Sequence, residues 1–369
     1  MAEIKALDFA VKLDNLTETR LVEKSYSTDL APGQVLLEIE EFSFTSNNIT
    51  YGVVGDKMNY WAFFPTTPGY GIIPAWGLAK VVVSSNPKVE VGERFYGYYP
   101  MSTHLLVSLD HSSSVGFVDT TPHRQALPAV YNFYTNIAQD PAFTPETEKL
   151  IALFRPLFIT SFLIDDHLAE QQFFGANQVI ITSASSKTAQ ALACLLAHRK
   201  QEQGLNLNLI ALTSAQNLEF VEGLGCYDQA ISYDAMDKLN PAEKHIVVDF
   251  TGNHSTQYQL QTLLGGNLVF NCLVGLVDWQ NLKGEKPLPQ KGEFFFAPTY
   301  AAQRQKAWGV AGFQQKVGAA WQLFIRAIQS SVTIKEYQGA QELETLYLNM
   351  LSGKIDPKHG NIVSLNRSI

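Results

Sequence analysis

Cysteine is scarce in this chain: three among 369 residues, Cys194, Cys226 and Cys272, far apart and each in an apolar neighbourhood. That excludes a disulfide-stapled scaffold and suits a reducing, cytoplasmic location. Charge is sparse too. Asp, Glu, Lys and Arg make up 17% of the residues, and 27 basic against 35 acidic side chains leave a formal net charge of −8. A nucleic-acid partner needs basic side chains dense enough to neutralise phosphates, so none is expected. Long apolar runs are missing as well. The nearest, Leu150 to Ile164, is broken by Arg155 and Pro156 and followed by Asp165-Asp166-His167. A membrane span needs ~18 uninterrupted apolar residues, so no membrane partner is expected. Met1-Ala2-Glu3-Ile4-Lys5 has no apolar stretch and does not read as a secretory signal. No Gly-x-Ser-x-Gly elbow occurs, which leaves a hydrolase without support.

What is present points to two domains, at ~100–200 residues each. The first 115 or so residues read as short strands, among them Gln34 to Glu40 and Gly77 to Val83. Pro32-Gly33, Pro68-Gly69, Asn86-Pro87 and Gly92 punctuate them. Residues 120–150 carry Pro122, Pro128, Pro141 and Pro145 around Tyr131, Phe133 and Tyr134, an elaborated connection expected to be partly helical. From Gln178 strand and helix alternate. Gln178 to Thr182, Leu207 to Thr213, Ala230-Ile231, Ile246 to Phe250 and Asn267 to Leu273 read as strands. Between them, Ala189, Leu192, Ala193 and Leu196 form the apolar stripe of a helix. Leu218, Val221 and Leu224 lie on a second helix that Gly225 can end, and Ser255 to Leu264 form a third. This alternation implies an α/β fold with a doubly wound parallel sheet. The last 60 or so residues predict an amphipathic helix through Val317, Trp321, Phe324, Ile325 and Ile328, then a strand at Asn361 to Leu365.

A doubly wound sheet binds its ligand where the first strand turns into the first helix. Here that turn is Thr182-Ser183-Ala184-Ser185-Ser186-Lys187-Thr188-Ala189. Helix N-termini attract anions through their dipole and unpaired N–H groups, and Ser185, Ser186, Thr188 and the Lys187 charge would strengthen that pull. The alternative is an ordinary N-cap at Ser185 or Ser186 with a solvated lysine behind it. The phosphate-binding Gly-x-x-x-x-Gly-Lys-Ser/Thr pattern fails, because its glycine positions are Ile181 and Ser186. Gly-x-Gly-x-x-Gly is absent too, with no glycine between Gly175 and Gly204. The loop thus suits a dinucleotide pyrophosphate by position and not by signature. After the second strand, Thr213-Ser214-Ala215-Gln216-Asn217 offers no acid before Glu219. A carboxylate there would bind the ribose hydroxyls of NAD and repel a 2′-phosphate, so NADP(H) is favoured.

The order of parts resembles the medium-chain dehydrogenase/reductase superfamily, and within it the zinc-free quinone-oxidoreductase-like branch. Pro32-Gly33-Gln34-Val35-Leu36 is similar to the family's opening turn and strand, and Val91-Gly92-Glu93-Arg94-Phe95 to its Val-Gly-Asp-Arg-Val turn. Thr67-Pro68-Gly69-Tyr70-Gly71 stands where the family has Pro-Gly-x-Glu. Val248-Asp249-Phe250-Thr251-Gly252 resembles the strand ending in Asp-x-x-Gly, and Gly353 to Val363 the closing segment. The resemblance implies a GroES-like β-rich catalytic domain at 1–165, a Rossmann-like domain at 166–305 and a return to the first domain at 306–369. It also implies a homodimer acting on a small hydrophobic substrate.

Two departures stand out. The family's Ala-x-Gly-Gly-x-Gly turn falls on Ala184 to Ala189, so both central glycines are lost and Ala189 replaces the third. That backbone must keep φ negative or be strained. The His-Glu pair of zinc-dependent members becomes Tyr70-Gly71, and no cysteine precedes Cys194. No metal is therefore expected; Asp165-Asp166-His167 are consecutive and, on a helix, point in different directions.

The resemblance sets Phe44 to Gly52 on the floor of the interdomain cleft, with Tyr51 at an active-site tyrosine position and Asn48 as its hydrogen-bonding neighbour. The bland alternative is a core aromatic with Asn47-Asn48 in a turn. Arg155 to Thr160 is expected to precede a helix, with Thr160 at the family's threonine turn beneath the nicotinamide. Arg155, inside an apolar run, needs a ligand anion or an acid such as Asp140 or Asp165. Tyr131, Asn132 and Tyr134 either roof the pocket or fill a core. For the cofactor, Thr213, Ser214, Asn217 and Tyr233 correspond to the adenosine end, Thr251 to the strand-end turn, and Val274-Gly275 to backbone contacts with the carboxamide. The expected function is zinc-independent, NADP(H)-dependent hydride transfer to an enone, quinone or carbonyl. The competing one is a Rossmann-type protein that binds a nucleotide or anion without turnover.

Overall fold

The computed structural model describes residues 2–109, 112–275, 284 and 286–366. Two compact units divide the chain, Met1–Arg155 with Ile334–Ile369, and Pro156–Thr333.

The first unit is β-rich. Its strands are β1 (Glu3–Lys12), β2 (Asn15–Ser27), β3 (Gln34–Phe44), β4 (Tyr70–Gly71), β5 (Pro74–Ser84), β6 (Arg94–Pro100), β7 (His104–Ser108), β8 (Ser112–Ser113), β9 (Gly116–Val118) and β10 (Phe133–Asn136). Helix α1 (Ser46–Val53) follows β3, and the 23-residue α2 (Glu148–Glu170) leads into the second unit. The antiparallel hairpin of β1 and β2 extends to β4. A larger sheet runs β17-β18-β3-β5-β6-β10-β9-β8, with β7 also pairing β3, once β17 (Thr333–Gln338) and β18 (His359–Ser364) have joined it. The expected strands at 34–40 and 77–83 thus sit within β3 and β5. Residues 120–150 contribute β10 and three single 3-10 turns.

The second unit follows the alternating pattern closely. It contains β11 (Gln178–Thr182), α3 (Lys187–Gln203), β12 (Asn208–Thr213), α4 (Leu218–Gly223), β13 (Gln229–Ser232), β14 (His245–Asp249), α5 (His254–Leu264), β15 (Leu268–Leu273) and β16 (Glu293–Phe294). The six strands pair in parallel in the order β13-β12-β11-β14-β15-β16. β-branched runs such as Val179-Ile180-Ile181 are fully buried, as a sheet covered on both faces requires. Ile180, Ile210, Leu212, Val247, Leu260 and Leu264 pack as one core. Gly204 ends α3 in the left-handed region at φ +61°.

The unit boundaries differ from the expected 165/166 and 305/306. Helix α2 continues unbroken past Asp165; Phe158 stacks on Phe324 and meets Trp321 edge-on, and Phe162 meets Phe313 edge-on, all three partners lying on α6 (Ala297–Ile328), which stays in the second unit. The return begins only at β17 (Thr333–Gln338) and continues through α7 (Gly339–Leu351). Among the described residues no helix is long and apolar enough to cross a membrane.

Arg155 to Thr160 was expected ahead of a helix and lies inside α2 instead, with Pro156 in mid-helix. A proline there removes the N–H that would bond the carbonyl four residues back, at Ala152. The buried Ser43 hydroxyl on β3 donates to that carbonyl at 2.8 Å. This substitute partner explains why the helix tolerates its proline. Ser43→Ala strands the carbonyl, and is expected to lower unfolding free energy by about 1–2 kcal/mol in urea denaturation.

Glu41, half-buried on β3, has Oε1 buried without a hydrogen-bond partner among the described residues, and burial pushes its carboxyl up to about 7. Glu148 and Glu336 add to that push, while Lys149 and Arg94 oppose it. A carboxyl raised in the folded state holds its proton where the unfolded chain has released it. Stability therefore falls as pH rises from the ordinary glutamate range towards 7. Denaturation midpoints at pH 5 and 7.5 should differ less in Glu41→Gln than in the parent protein; an unchanged difference would remove Glu41 as the cause.

Candidate functional site

In the second unit the strand order reverses between β11 and β14, since β12 lies to one side of β11 and β15 to the far side of β14. Ligands of open α/β sheets bind outside the carboxyl ends of the strands at such a switch point. Here the floor of that point is closed by Thr182 and Asp249, both buried. The Thr182 hydroxyl donates to Asp249 Oδ1 at 2.5 Å and accepts the Phe250 N–H at 3.0 Å and the Thr251 N–H at 3.3 Å. Asp249 Oδ2 accepts the Gly252 N–H at 3.2 Å. Burial pushes the Asp249 carboxyl up, and these hydrogen bonds oppose it. Sequence reasoning missed the pairing because the two residues lie 67 positions apart.

The glycine-free turn resolves its strain by moving it. Ser186 keeps φ −69° as the N-cap of α3, its hydroxyl accepting the Ala189 N–H at 3.4 Å, while Ser183 takes the left-handed φ of +47°. A non-glycine residue costs roughly 1–2 kcal/mol there. The Tyr233 hydroxyl helps hold this bend by accepting the Ser183 N–H at 2.9 Å. Asn217 Nδ2 donates to Ser185 Oγ at 3.1 Å, and Gln190 Nε2 to the Ser185 carbonyl at 2.7 Å. Ser185, Asn217 and Tyr233 are thus gathered around one loop. The N–H groups of Ser185 and Thr188 make no hydrogen bond among the described residues and remain available as donors. Lys187 opens α3 with only 9% exposure, so it is not the solvated first-turn lysine of the bland alternative.

Thr213 is buried at the end of β12, and the next residue, Ser214, carries a buried hydroxyl without a hydrogen-bond partner among the described residues. Thr251 Oγ1 accepts the Asn253 N–H at 2.8 Å. The Val274 and Gly275 N–H groups both donate to the Asp249 carbonyl, at 2.9 and 3.1 Å. Gly275 has to be glycine: a Cβ would stand 2.5 Å from the Phe250 carbonyl oxygen.

The first unit gathers a nest of aromatic residues around Tyr51. The Tyr51 ring centroid is 4.5 Å from Tyr60 and 5.8 Å from Tyr98, and the Tyr60 and Tyr131 hydroxyls are 3.3 Å apart. Tyr131 thus joins the nest. Tyr134 instead fills a core against Phe117, and Asn132 hydrogen-bonds the buried Arg124. Burial holds the Tyr51, Tyr98 and Tyr131 phenols well above the ordinary tyrosine range, so all three keep their protons at neutral pH. Among the described residues, the buried Tyr96 and Tyr98 hydroxyls and Trp76 Nε1 have no hydrogen-bond partner. Such orphaned groups mark a place where a polar ligand atom or water completes the network. No sequence signal pointed to Trp76 or Tyr98, which enter only through the pairing of β5 with β6.

Asn48 is occupied. Its Oδ1 accepts from the Thr45 N–H at 2.8 Å and its Nδ2 donates to the Pro74 carbonyl at 2.9 Å, which caps α1. Arg155 resolves to the acid alternative, pairing with Asp140 at 2.8 Å and lying over the Tyr96 and Phe143 rings. Asp165 belongs to Arg199 and Asp166 to Arg304. Thr160 is half-buried on α2, its hydroxyl 3.5 Å from the Pro156 carbonyl. At the Tyr70-Gly71 pair, the Tyr70 hydroxyl donates to Glu18 at 3.0 Å, and a Cβ on Gly71 would meet the Trp61 ring at 2.4 Å. Among the described residues, no group of three or more His, Cys, Asp or Glu side chains could hold a metal ion.

Residues 42–356 match the model of a family described as DUF2855, protein of unknown function. No curated protein matches the sequence. Several solved structures share the fold at low identity. CurA from Vibrio vulnificus in complex with NADPH is 14% identical with a TM-score of 0.64, over 100% of both chains. The yhdH oxidoreductase from Salmonella enterica in complex with NADP is 13% identical with a TM-score of 0.54, over 98% of this chain and 100% of that one. The quinone oxidoreductase from Coxiella burnetii is 12% identical with a TM-score of 0.52, over 98% and 100%.

Proposed function

Because the chain belongs to the DUF2855 family and has the GroES-like plus Rossmann-like fold of the medium-chain dehydrogenase/reductases, we propose that it is a zinc-independent NADP(H)-dependent reductase of hydrophobic carbonyls, enones or quinones, acting as a homodimer. The observation that carries this reading is the start of α3. A serine-lined bend, a buried lysine and two unbonded N–H groups stand beside the sheet's switch point. That donor set suits a pyrophosphate. Ser185, Ser186, Lys187 and Thr188 would hold it, with Asn217 and Tyr233 shaping the loop. The Ser214 hydroxyl, which has no partner among the described residues, fits a 2′-phosphate oxygen, and the sequence Thr213 to Asn217 carries no carboxylate to repel one. NADPH supplies a hydride when bound.

The chain's own part in the chemistry falls to the tyrosine nest. Tyr51 keeps its proton because burial disfavours the phenolate, so its hydroxyl donates a hydrogen bond to the substrate oxygen as negative charge develops there. Asn48 positions α1, on which Tyr51 sits, and Arg155 braces Tyr96; both act through other residues. Thr160 is proposed as a cofactor-side contact from α2.

A second reading, nucleotide or anion binding without turnover, is favoured by one observation: Asn48 and Arg155 are already committed to the fold. Intrinsic-fluorescence titration with NADPH, NADH and inorganic phosphate, followed by a quinone and enone panel, separates the readings. Tightest binding of NADPH with its oxidation by an acceptor supports the reductase. Tight NADPH binding with no acceptor turned over supports the binding protein, and no preference for either dinucleotide over phosphate sinks both.

A further inference from the structure

We propose that Cys194 and Cys226 form a redox-responsive thiol pair, which a hydroperoxide converts to an intramolecular disulfide. The inference goes beyond the reductase reading and does not depend on it. Cys194 lies two turns into α3 and is 8% exposed, while Cys226 follows the left-handed Gly225 beyond α4 and is half-buried. Their sulfurs stand 2.7 Å apart, close to the disulfide bond length of about 2.05 Å. Closing the bond needs only a small approach of two side chains. The third thiol, Cys272, is fully buried on β15 and serves as an internal control.

The two thiols are chemically unequal. The two sulfurs share one hydrogen bond in which either can donate; the contact holds Cys226 below the ordinary thiol range and, together with burial, pushes Cys194 up. Cys226 also has exposed neighbours in Gly223 and Gly225, which leave a path for a small oxidant. The thiolate is the reactive form of cysteine, so Cys226 attacks the peroxide. Its sulfur takes one oxygen to become a sulfenic acid, and the other oxygen leaves as water or alcohol. The Cys194 sulfur then attacks that sulfenic sulfur and expels its oxygen as water. Two electrons pass from the sulfur pair to the O–O bond, and both thiol protons end in the products. The bond would join α3 to the turn whose Tyr227 hydroxyl donates to the Ala184 and Ala189 carbonyls, at 3.2 and 3.4 Å, and so tie together both sides of the Ser183–Ser186 bend.

The test treats the full chain with hydrogen peroxide, alkylates it under denaturing conditions and counts thiols. Expected is a fall from three free thiols to one, reversed by dithiothreitol. A mass loss of about 2 Da and a cross-linked peptide joining Cys194 to Cys226 should accompany it. Thermal denaturation should shift up by roughly 5 °C, because the bond closes a 32-residue loop of the unfolded chain. In Cys194→Ser, Cys226 should stop at the sulfenic acid and be labelled by dimedone. Three thiols remaining after treatment, or oxygen added to Cys226 with no cross-linked peptide, would overturn the proposal. So would equal oxidation of Cys272.

Discussion

Arg124→Leu is expected to lower unfolding free energy by about 3–5 kcal/mol, read from urea denaturation midpoints. Arg124 and Asp119 are each 1% exposed and pair at 2.9 Å. The guanidinium also donates to the Tyr134 hydroxyl at 2.8 Å, Asn132 Oδ1 at 3.1 Å and the Tyr131 carbonyl at 2.8 Å, and its carbon stands 4.9 Å from the Phe64 ring centroid. Removing the cation leaves the Asp119 carboxylate buried without its charge partner, and that uncompensated charge dominates the loss. The double variant Arg124→Leu/Asp119→Leu should therefore be less damaged than the sum of the two single variants. A single-variant loss below about 1 kcal/mol would show that the pair is not the keystone of this region. The effect reaches the tyrosine nest, because Arg124 holds the Tyr131 carbonyl and lies over Phe63 and Phe64. Under the proposed reductase reading, a destabilised Arg124 variant should also lose carbonyl reduction before it loses NADPH binding.

Lys187→Glu is expected to weaken NADPH at least about a hundredfold in fluorescence titration, and Lys187→Ala about tenfold. In the proposed cofactor site, loss of one charge-assisted hydrogen bond accounts for roughly 1.5–3 kcal/mol, and the reversed charge would repel the phosphate. The contrast between the variants separates electrostatics from packing. If both lose affinity equally, the buried lysine stem, and not its charge, holds the loop. Unchanged affinity in both would take Lys187 out of the site.

The second unit was largely legible because its signals are local. β11 coincides with the expected Gln178 to Thr182, and α5 begins one residue before the expected Ser255. Buried parallel strands must be continuous apolar runs, and the helices between them must show a single apolar stripe, so periodicity alone locates them. The first unit was harder to read. The 13-residue β2 alternates exposed and half-buried residues with no strong apolar run, and the partners in the β3–β5–β6 sheet come from distant segments. Helix α2 defeated local reasoning at Pro156, because the partner that rescues it, Ser43, lies more than a hundred residues upstream.

Length, charge balance, patterning and the position of a serine-rich turn after a β-branched strand were thus determined by the sequence alone. They suffice for the α/β class, the two-unit plan and the candidate phosphate loop, since each depends on residues adjacent in the chain. The tertiary structure decided the rest. It committed Arg155 to Asp140 and Asn48 to a helix cap, joined Thr182 to Asp249, gathered the tyrosines around Tyr51 and brought Cys194 to Cys226. Each of these turns on which side chains share a small volume, and that is fixed by strand pairing and packing between segments that hold no information about one another in sequence.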